Sequence, residues 1–540
     1  MSNNVIDVRG LDIWASSESG QPRHIVKNVS FALQRGQCLA LVGESGSGKS
    51  VTARSLVGLA GDGLHVQADT LSLHGETLQQ RSDSWWRKVR GSKVGFILQD
   101  ALVSLDPLRP VGKEIAEALA LHGWGNAASR QQKVQALLEE VGVPQAAYRA
   151  SQRPGELSGG LRQRALIASA IALHPDVLIA DEPTTALDVT VQAQVLEVLR
   201  QMLDRGTSVI LISHDLAVVA KIADQILVMQ GGSIVEAGSA QQVLQQPQHA
   251  YTQGLINAIP SEHTKGQRLS GSAPSVPIPT VTPSDEVLLE ARHIMKRFRG
   301  HRAVDDVSFT LKRGETLGIV GESGSGKTTL SRIALALESP DSGEVLFAGQ
   351  PWSHASAADQ RAIRRQIAVV YQDPLSSFDP RWRVADILLD AIALDRHAPT
   401  QTPRERAISL LQAVGLGAEH LNQWPARMSG GQRQRVAIAR AIATHPKVIV
   451  LDEAVSALDV TIQAQILDLL SDLQAQLGVS YLFISHDLGV IHHMSDRVLV
   501  MQNGQAVEQG AADEVFYRPR HPYTQTLLAS LPRLAALETA

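Results

Sequence analysis

The sequence lacks the residues on which several classes of protein depend. It has a single cysteine in 540 residues, Cys38, so it closes no internal disulfide and builds no zinc or iron–sulfur site from several thiolates. A lone thiol suits a reducing compartment. Charge of one sign is not in excess either: 50 Lys and Arg face 54 Asp and Glu, a net charge of −4, which gives no footprint for nucleic acid. The first residues, MSNNVIDVRG, lack the basic start and apolar core of a secretory signal. No apolar run approaches the roughly 18 residues that suggest a membrane span; stretches such as 165–173 reach half that length. The expectation is a soluble cytoplasmic protein whose membrane role, if it has one, comes through partners. At roughly 150 residues per domain the chain has room for three or four domains.

What the chain does have is a large internal repeat. GESGSGK occurs at 43–49 and again at 321–327, and LQD/YQD, SGG, DE and SHD recur in the same order at offsets of 271 to 278. Two tandem copies of one unit are therefore expected, over 1–261 and 287–540, and not a solenoid of short repeats. Residues 262–286, with four prolines and several serines, are expected to form an extended, poorly ordered linker. Within each copy, short runs that are apolar at every position (38–42, 177–180 and 209–212; 317–320, 448–451 and 481–484) alternate with longer helical patterns. Such runs suit strands covered on both faces, so each copy is expected to be an α/β domain with a parallel sheet.

Gly43-Glu-Ser-Gly-Ser-Gly-Lys-Ser50 and Gly321-Glu-Ser-Gly-Ser-Gly-Lys-Thr328 fit the P-loop pattern, each between a predicted strand and a helix from Val51 or Thr329 onward. Glycines (Gly43, Gly46, Gly48; Gly321, Gly324, Gly326) with Ser45 and Ser323 let backbone N–H groups wrap phosphate oxygens. Lys49 and Lys327 add a point charge for the β- and γ-phosphates, and Ser50 and Thr328 a hydroxyl for Mg²⁺.

Asp181 and Asp452 each end an apolar run, where a carboxylate can hold Mg²⁺. Glu182 and Glu453 follow, placed to orient or deprotonate an attacking water. Read singly, such a pair is more often a helix cap; its duplicated place roughly 130 residues after a P-loop points to catalysis. His214 and His486, within SHD, are candidates to donate to the γ-phosphate. Gln99 and Gln372, at strand ends, offer a carbonyl oxygen to Mg²⁺ or water.

P-loop, Gln, SGG, Asp-Glu and His in this order closely resemble the ATP-binding cassette family over nearly the whole chain. The most diagnostic element is Leu157-Ser-Gly-Gly-Leu-Arg-Gln-Arg164 and Met428-Ser-Gly-Gly-Gln-Arg-Gln-Arg435, alone no more than a helix cap. The resemblance implies two tandem P-loop NTPase domains, each a parallel-sheet ATP-binding core with a helical insert (about 101–156 and 374–426). It further implies head-to-tail sites in which Ser158, Gly159 and Gly160 serve Lys327, and Ser429, Gly430 and Gly431 serve Lys49. Ala186-Leu-Asp188 and Ala457-Leu-Asp459 match the loop that crosses between sites. Trp14 and Phe298 match the aromatic that stacks on adenine, with packing on the neighbouring sheet as the rival reading. Leu161, Met428 and Ala454 depart from the family pattern without removing a phosphate ligand or catalytic carboxylate, so two hydrolysis-competent sites are expected.

Gln99-Asp-Ala-Leu-Val-Ser-Leu-Asp-Pro107 and Gln372-Asp-Pro-Leu-Ser-Ser-Phe-Asp-Pro380, with the tails His249-Ala-Tyr-Thr-Gln253 and His521-Pro-Tyr-Thr-Gln525 that continue to Pro260 and Pro532, resemble the dipeptide, oligopeptide and nickel importers. That group implies two membrane permease subunits and an extracytoplasmic substrate-binding protein as partners. It also implies a peripheral position at the cytoplasmic face of the inner membrane, and cargo among peptides, nickel chelates, glutathione or opine-like solutes. The competing reading is a soluble twin-cassette ATPase acting on ribosomes or nucleic acid. A short proline-rich linker and the presence of both histidines argue against it.

Overall fold

Five five-residue segments that are buried at every position, Cys38–Val42, Ser208–Ile212, Val177–Asp181, Thr316–Val320 and Ser480–Ile484, show how the sequence builds its centre. Nothing in such a segment faces water, so each lies inside a sheet covered on both sides. The computed structural model describes residues 4–16, 22–99, 104–184, 187, 189–261, 264–271, 278, 281–298, 300–395 and 401–529. It divides into two compact units between Ile256 and Asn257.

In the first unit the six-stranded sheet runs Ser233–Ser239, Gln225–Gln230, Cys38–Val42, Ser208–Ile212, Val177–Asp181, Val94–Ile97. All neighbours are parallel except the first two strands, which form an antiparallel hairpin. The second unit repeats the order: Gln505–Ala511, Arg497–Gln502, Thr316–Val320, Ser480–Ile484, Val448–Asp452, Ile367–Tyr371. The parallel core expected from the apolar runs is present in both.

Register puts the chemistry at one edge. Asp181 pairs with Ile212, and Asp452 with both Ile484 and Tyr371, so the strands end side by side. The P-loops, the Asp-Glu pairs and the SHD segments all leave the sheet there, at the carboxyl ends of parallel strands, where crevices form in open α/β sheets.

A second, antiparallel sheet in each unit was not legible as continuous apolar runs. Asn4–Ala15 pairs with Arg23–Gln34, and Val287–Phe298 with His301–Lys312, with several register irregularities. Their burial alternates because one face meets the core and the other water. In the first unit, residues of this sheet join those of the central strands and the P-loop helix in one hydrophobic cluster that includes Leu11, Ile13, Val26, Leu39, Leu41 and Ala53. The regions read as helical inserts hold Val111–Leu121 and Ala127–Glu140 in one unit, and Val384–Ala393 and Pro403–Ala413 in the other. Positions 101–103 and 396–400 lie outside the described residues.

Residues 264–270 of the linker are held by specific partners and are not the free, extended stretch expected there. Thr264, Lys265, Arg268, Leu269 and Ser270 are tied down within the second unit: Thr264 Oγ1 lies 3.3 Å from His493 Nδ1, Lys265 Nζ donates to Asp513 Oδ1 (2.9 Å), Arg268 Nη1 to Asp472 Oδ2 (3.0 Å), and the N–H groups of Leu269 and Ser270 to the Asp468 carboxylate (3.1 and 2.9 Å). Leu269 is buried. Composition marks a proline- and serine-rich stretch as unpartnered, but here acids on the helix Val460–Leu477 supply partners. Residues 262–263, 272–277 and 279–280 lie outside the described residues.

Candidate functional site

Each P-loop starts where a side chain is impossible. Gly43 and Gly321 have φ of +144° and +153°, and a Cβ there would stand 2.2 Å from the carbonyl oxygens of Met229 and Met501. Gly48 and Gly326, both at φ +101°, precede the helices Lys49–Ser55 and Lys327–Ala334 in the left-handed region that glycine tolerates. These helices begin two residues before the expected Val51 and Thr329. Ser45, Gly46, Ser323 and Gly324 form the exposed crests.

Lys49 and Lys327 are buried and fold back on their own loops. Lys49 Nζ donates to Gly43 O and Glu44 O, both at 2.7 Å, and Lys327 Nζ to Gly321 O (2.7 Å) and Glu322 O (2.8 Å).

Ser50 and Asp181, 131 positions apart in sequence, meet through a 2.8 Å hydrogen bond from Ser50 Oγ to Asp181 Oδ1. Asp181 is fully buried, and its Oδ2 has no hydrogen-bond partner, with Arg54 Nη2 3.9 Å away. Burial raises the Asp181 carboxyl, offset in part by the Ser50 hydrogen bond and the Arg54 charge. Asp452 is likewise raised by burial, with the Glu453 charge adding to it. In the second unit Ser331 Oγ donates to Asp452 Oδ2 at 3.4 Å. Ser331 is a neighbour that motif reasoning missed, because its counterpart in the first copy is Ala53.

Glu182 and Glu453 have φ of +49° and +51°, a strained conformation for such residues that is enriched at functional sites. Glu182 Oε2 accepts from Gln99 Nε2 (2.9 Å), and Glu182 Oε1 lies 3.2 Å from His214 Nδ1. The second unit brings Glu453 Oε2 within 3.5 Å of His486 Nδ1, while Gln372 Nε2 donates instead to Ser456 Oγ at 3.3 Å. Burial works against charging His214 and His486, but the hydrogen bond and charge of Glu182 and Glu453, with Asp215 and Asp487, hold both imidazoles above their ordinary value.

Ser158 caps the helix Gly159–Ala170 and Ser429 the helix Gly430–Ile442. A Cβ on Gly160 or Gly431 would meet Val191 at 2.7 Å or Ile462 at 2.5 Å, so only glycine lets the signature approach the following helix. The Ser429 N–H in turn donates to Gln432 Oε1 (3.0 Å); Leu161 has no side-chain oxygen to accept in the same way.

The tails carry a feature to which sequence reasoning gave no role. The N–H of Glu44 donates to the Tyr251 hydroxyl (3.0 Å), and that of Glu322 to the Tyr523 hydroxyl (3.1 Å).

Two family models match this chain: ABC transporter over residues 26–185 and 304–456, and the oligopeptide/dipeptide transporter C-terminal region over 235–284 and 507–539. The glutathione import ATP-binding protein GsiA of Escherichia coli strain K12 is 43% identical over 569 residues, covering 98% of this chain and 90% of that protein. That of Salmonella typhimurium is 43% identical with the same coverage. The chain belongs to the ATP-binding cassette transporter family. As a member it binds and hydrolyses ATP. Among solved structures, the archaeal ribosome recycling factor aABCE1 in complex with the stalk protein aP1 superposes with a TM-score of 0.61 at 21% identity, over 91% of this chain and 88% of that one. It shares the twin-cassette fold.

Within this cassette protein, the two expected adenine-stacking aromatics differ. Trp14 stacks on His24, with ring centroids 4.7 Å apart at 12°. Phe298 is exposed, with Lys296 Nζ 5.3 Å from its ring centre. Met428 and Ala454, two departures from the family pattern, are both buried apolar fillers. Ala186, Asp188 and Pro532 lie outside the described residues. Among those described, no helix is long and apolar enough to cross a membrane.

Proposed function

We propose that this chain is the energy-coupling subunit of an importer for glutathione or a related short peptide, driving two membrane permease subunits fed by an extracytoplasmic substrate-binding protein. It would act peripherally at the cytoplasmic face of the inner membrane. The observation that carries this reading is the match of both tails to the oligopeptide/dipeptide transporter region, joined to 43% identity with glutathione import proteins over 98% of the chain. This favours the importer over the ribosome or nucleic-acid reading, because the ribosome-linked neighbour shares the fold at only 21% identity.

ATP would be held by Gly43 to Ser50 and Gly321 to Thr328, with Trp14 and Phe298 toward adenine. The signatures, Ser158 to Gly160 and Ser429 to Gly431, would complete the sites in the family's head-to-tail manner. Ser50, Gln99 and Asp181, and Thr328, Gln372 and Asp452, are the residues to hold Mg²⁺. A buried carboxylate oxygen without a hydrogen-bond partner, Asp181 Oδ2, suits a hard cation. When bound, Mg²⁺ neutralises phosphate charge. Glu182 and Glu453 orient and deprotonate the attacking water. His214 and His486, held toward the protonated form beside those carboxylates, donate toward the γ-phosphate.

The test is affinity purification of the tagged chain from detergent-solubilised membranes, followed by uptake of labelled glutathione. Two permeases should co-purify, and Glu182→Gln/Glu453→Gln should abolish uptake. Recovery of ribosomes without membrane subunits would overturn the importer reading.

A further inference from the structure

We infer that Tyr251 and Tyr523, in the tail segments His249-Ala-Tyr-Thr and His521-Pro-Tyr-Thr, are positioning residues that set the P-loop lysines for nucleotide binding. The inference rests on the reading of Lys49 and Lys327 as phosphate ligands.

One peptide unit links tyrosine to lysine in each half. The N–H of Glu44, which donates to the Tyr251 hydroxyl at 3.0 Å, and the carbonyl of Gly43, which accepts from Lys49 Nζ at 2.7 Å, belong to the same peptide group. That group is planar, and its N–H and C=O point in opposite directions. A hydroxyl at one end therefore fixes the direction of the carbonyl that holds the ammonium at the other. The second half repeats it: Glu322 N–H to Tyr523 hydroxyl at 3.1 Å, and Lys327 Nζ to Gly321 O at 2.7 Å.

The tyrosines are themselves held. Glu236, on the hairpin strand Ser233–Ser239, accepts from the N–H groups of Gln248 (2.7 Å) and His249 (3.2 Å), and His249 Nδ1 accepts from Tyr251 N–H (3.2 Å). Glu508 does the same for Arg520 (2.8 Å) and His521 (3.1 Å), and His521 Nδ1 for Tyr523 N–H (3.2 Å). The geometry is kept although Gln248 and Ala250 become Arg520 and Pro522. Carboxylate, histidine, tyrosine and loop peptide thus form a short chain that ends on the lysine. Without the hydroxyl, the Gly43–Glu44 peptide can turn, and nucleotide must then spend part of its binding free energy on ordering the loop.

The experiment uses the full chain with Tyr251→Phe and Tyr523→Phe together, which removes two oxygens and keeps both rings. Affinity for a fluorescent ATP analogue with Mg²⁺, steady-state ATPase and thermal melting are measured, with Lys49→Ala/Lys327→Ala as comparator. The tyrosine variant should raise Kd and KM for ATP about fivefold, the scale of one neutral hydrogen bond, while kcat stays within about twofold and the melting temperature holds. The lysine variant should lose binding. Wild-type Kd and KM in the tyrosine variant, or a change confined to melting, would overturn the inference and leave the site reading intact if the lysine variant fails to bind. Full binding by the lysine variant would instead overturn the site reading itself.

Discussion

His214 Nδ1 stands 3.2 Å from Glu182 Oε1, and the pair recurs as His486 Nδ1 and Glu453 Oε2 at 3.5 Å. Each half therefore sets its own carboxylate beside an imidazole biased toward its charged form, at the end of neighbouring parallel strands. The proposal of two working sites requires such a pair in each half.

Replacing Glu182 or Glu453 alone by Gln keeps the shape and removes the carboxylate proposed as the base. Each single change should reduce steady-state ATPase, and the double change should lower it by about 10²–10⁴-fold, the usual contribution of a general base. Turnover assays on the purified full chain check this; a single change that leaves turnover at the wild-type level would show that its site does not contribute.

His493 gives the second unit a pH dependence. It is buried on the helix Leu488–Met494, and burial pushes its pKa down to about 4 from 6.5, against the Asp468 charge and with His492 and Lys265 adding to the fall. With the folded value depressed, the unfolded chain binds the extra proton first. Stability from this group is complete above pH 6.5 and is lost as pH falls toward about 4. His493→Gln should flatten the decline of the second unit's melting temperature across that window, as read by calorimetry at a series of pH values.

Asp468 meets three donors of the linker: the N–H groups of Leu269 and Ser270 and the Ser270 hydroxyl. In Asp468→Asn one oxygen becomes an NH₂ group that faces a donor, so the cost should be about 1–3 kcal/mol, the penalty for a buried polar group left unsatisfied. Limited proteolysis should cut between residues 257 and 286 faster than in the wild type, while the first unit melts unchanged.

Cys38 opens the strand that leads into the first P-loop. Its thiol is fully buried, and burial, with the Asp224 charge, pushes its pKa far above the ordinary range. A thiol reagent should therefore find no reactive group in the native chain and one equivalent after guanidinium unfolding.

Much of the site was legible because its chemistry is local. A loop that wraps phosphate needs glycines at fixed spacing, and Gly43, Gly48, Gly321 and Gly326 occupy strained or crowded backbone positions where only glycine fits. The parallel core was legible for a similar reason, since a strand buried on both faces must be apolar throughout. The antiparallel sheets were not, because alternation interrupted by register shifts has no single period.

Repeated motifs alone marked two cassettes, two P-loops, and the acids, glutamines and histidines expected to serve them. The pairings that join distant positions came only with the tertiary structure. Tyr251 lies 207 residues from Glu44, and Asp468 lies 199 from Leu269. Neither pair carries a spacing rule, because a hydrogen bond between residues so far apart is set by how sheets and helices stack. The same holds for the linker, whose composition describes a chain without partners until Asp468, Asp472 and Asp513 are brought beneath it.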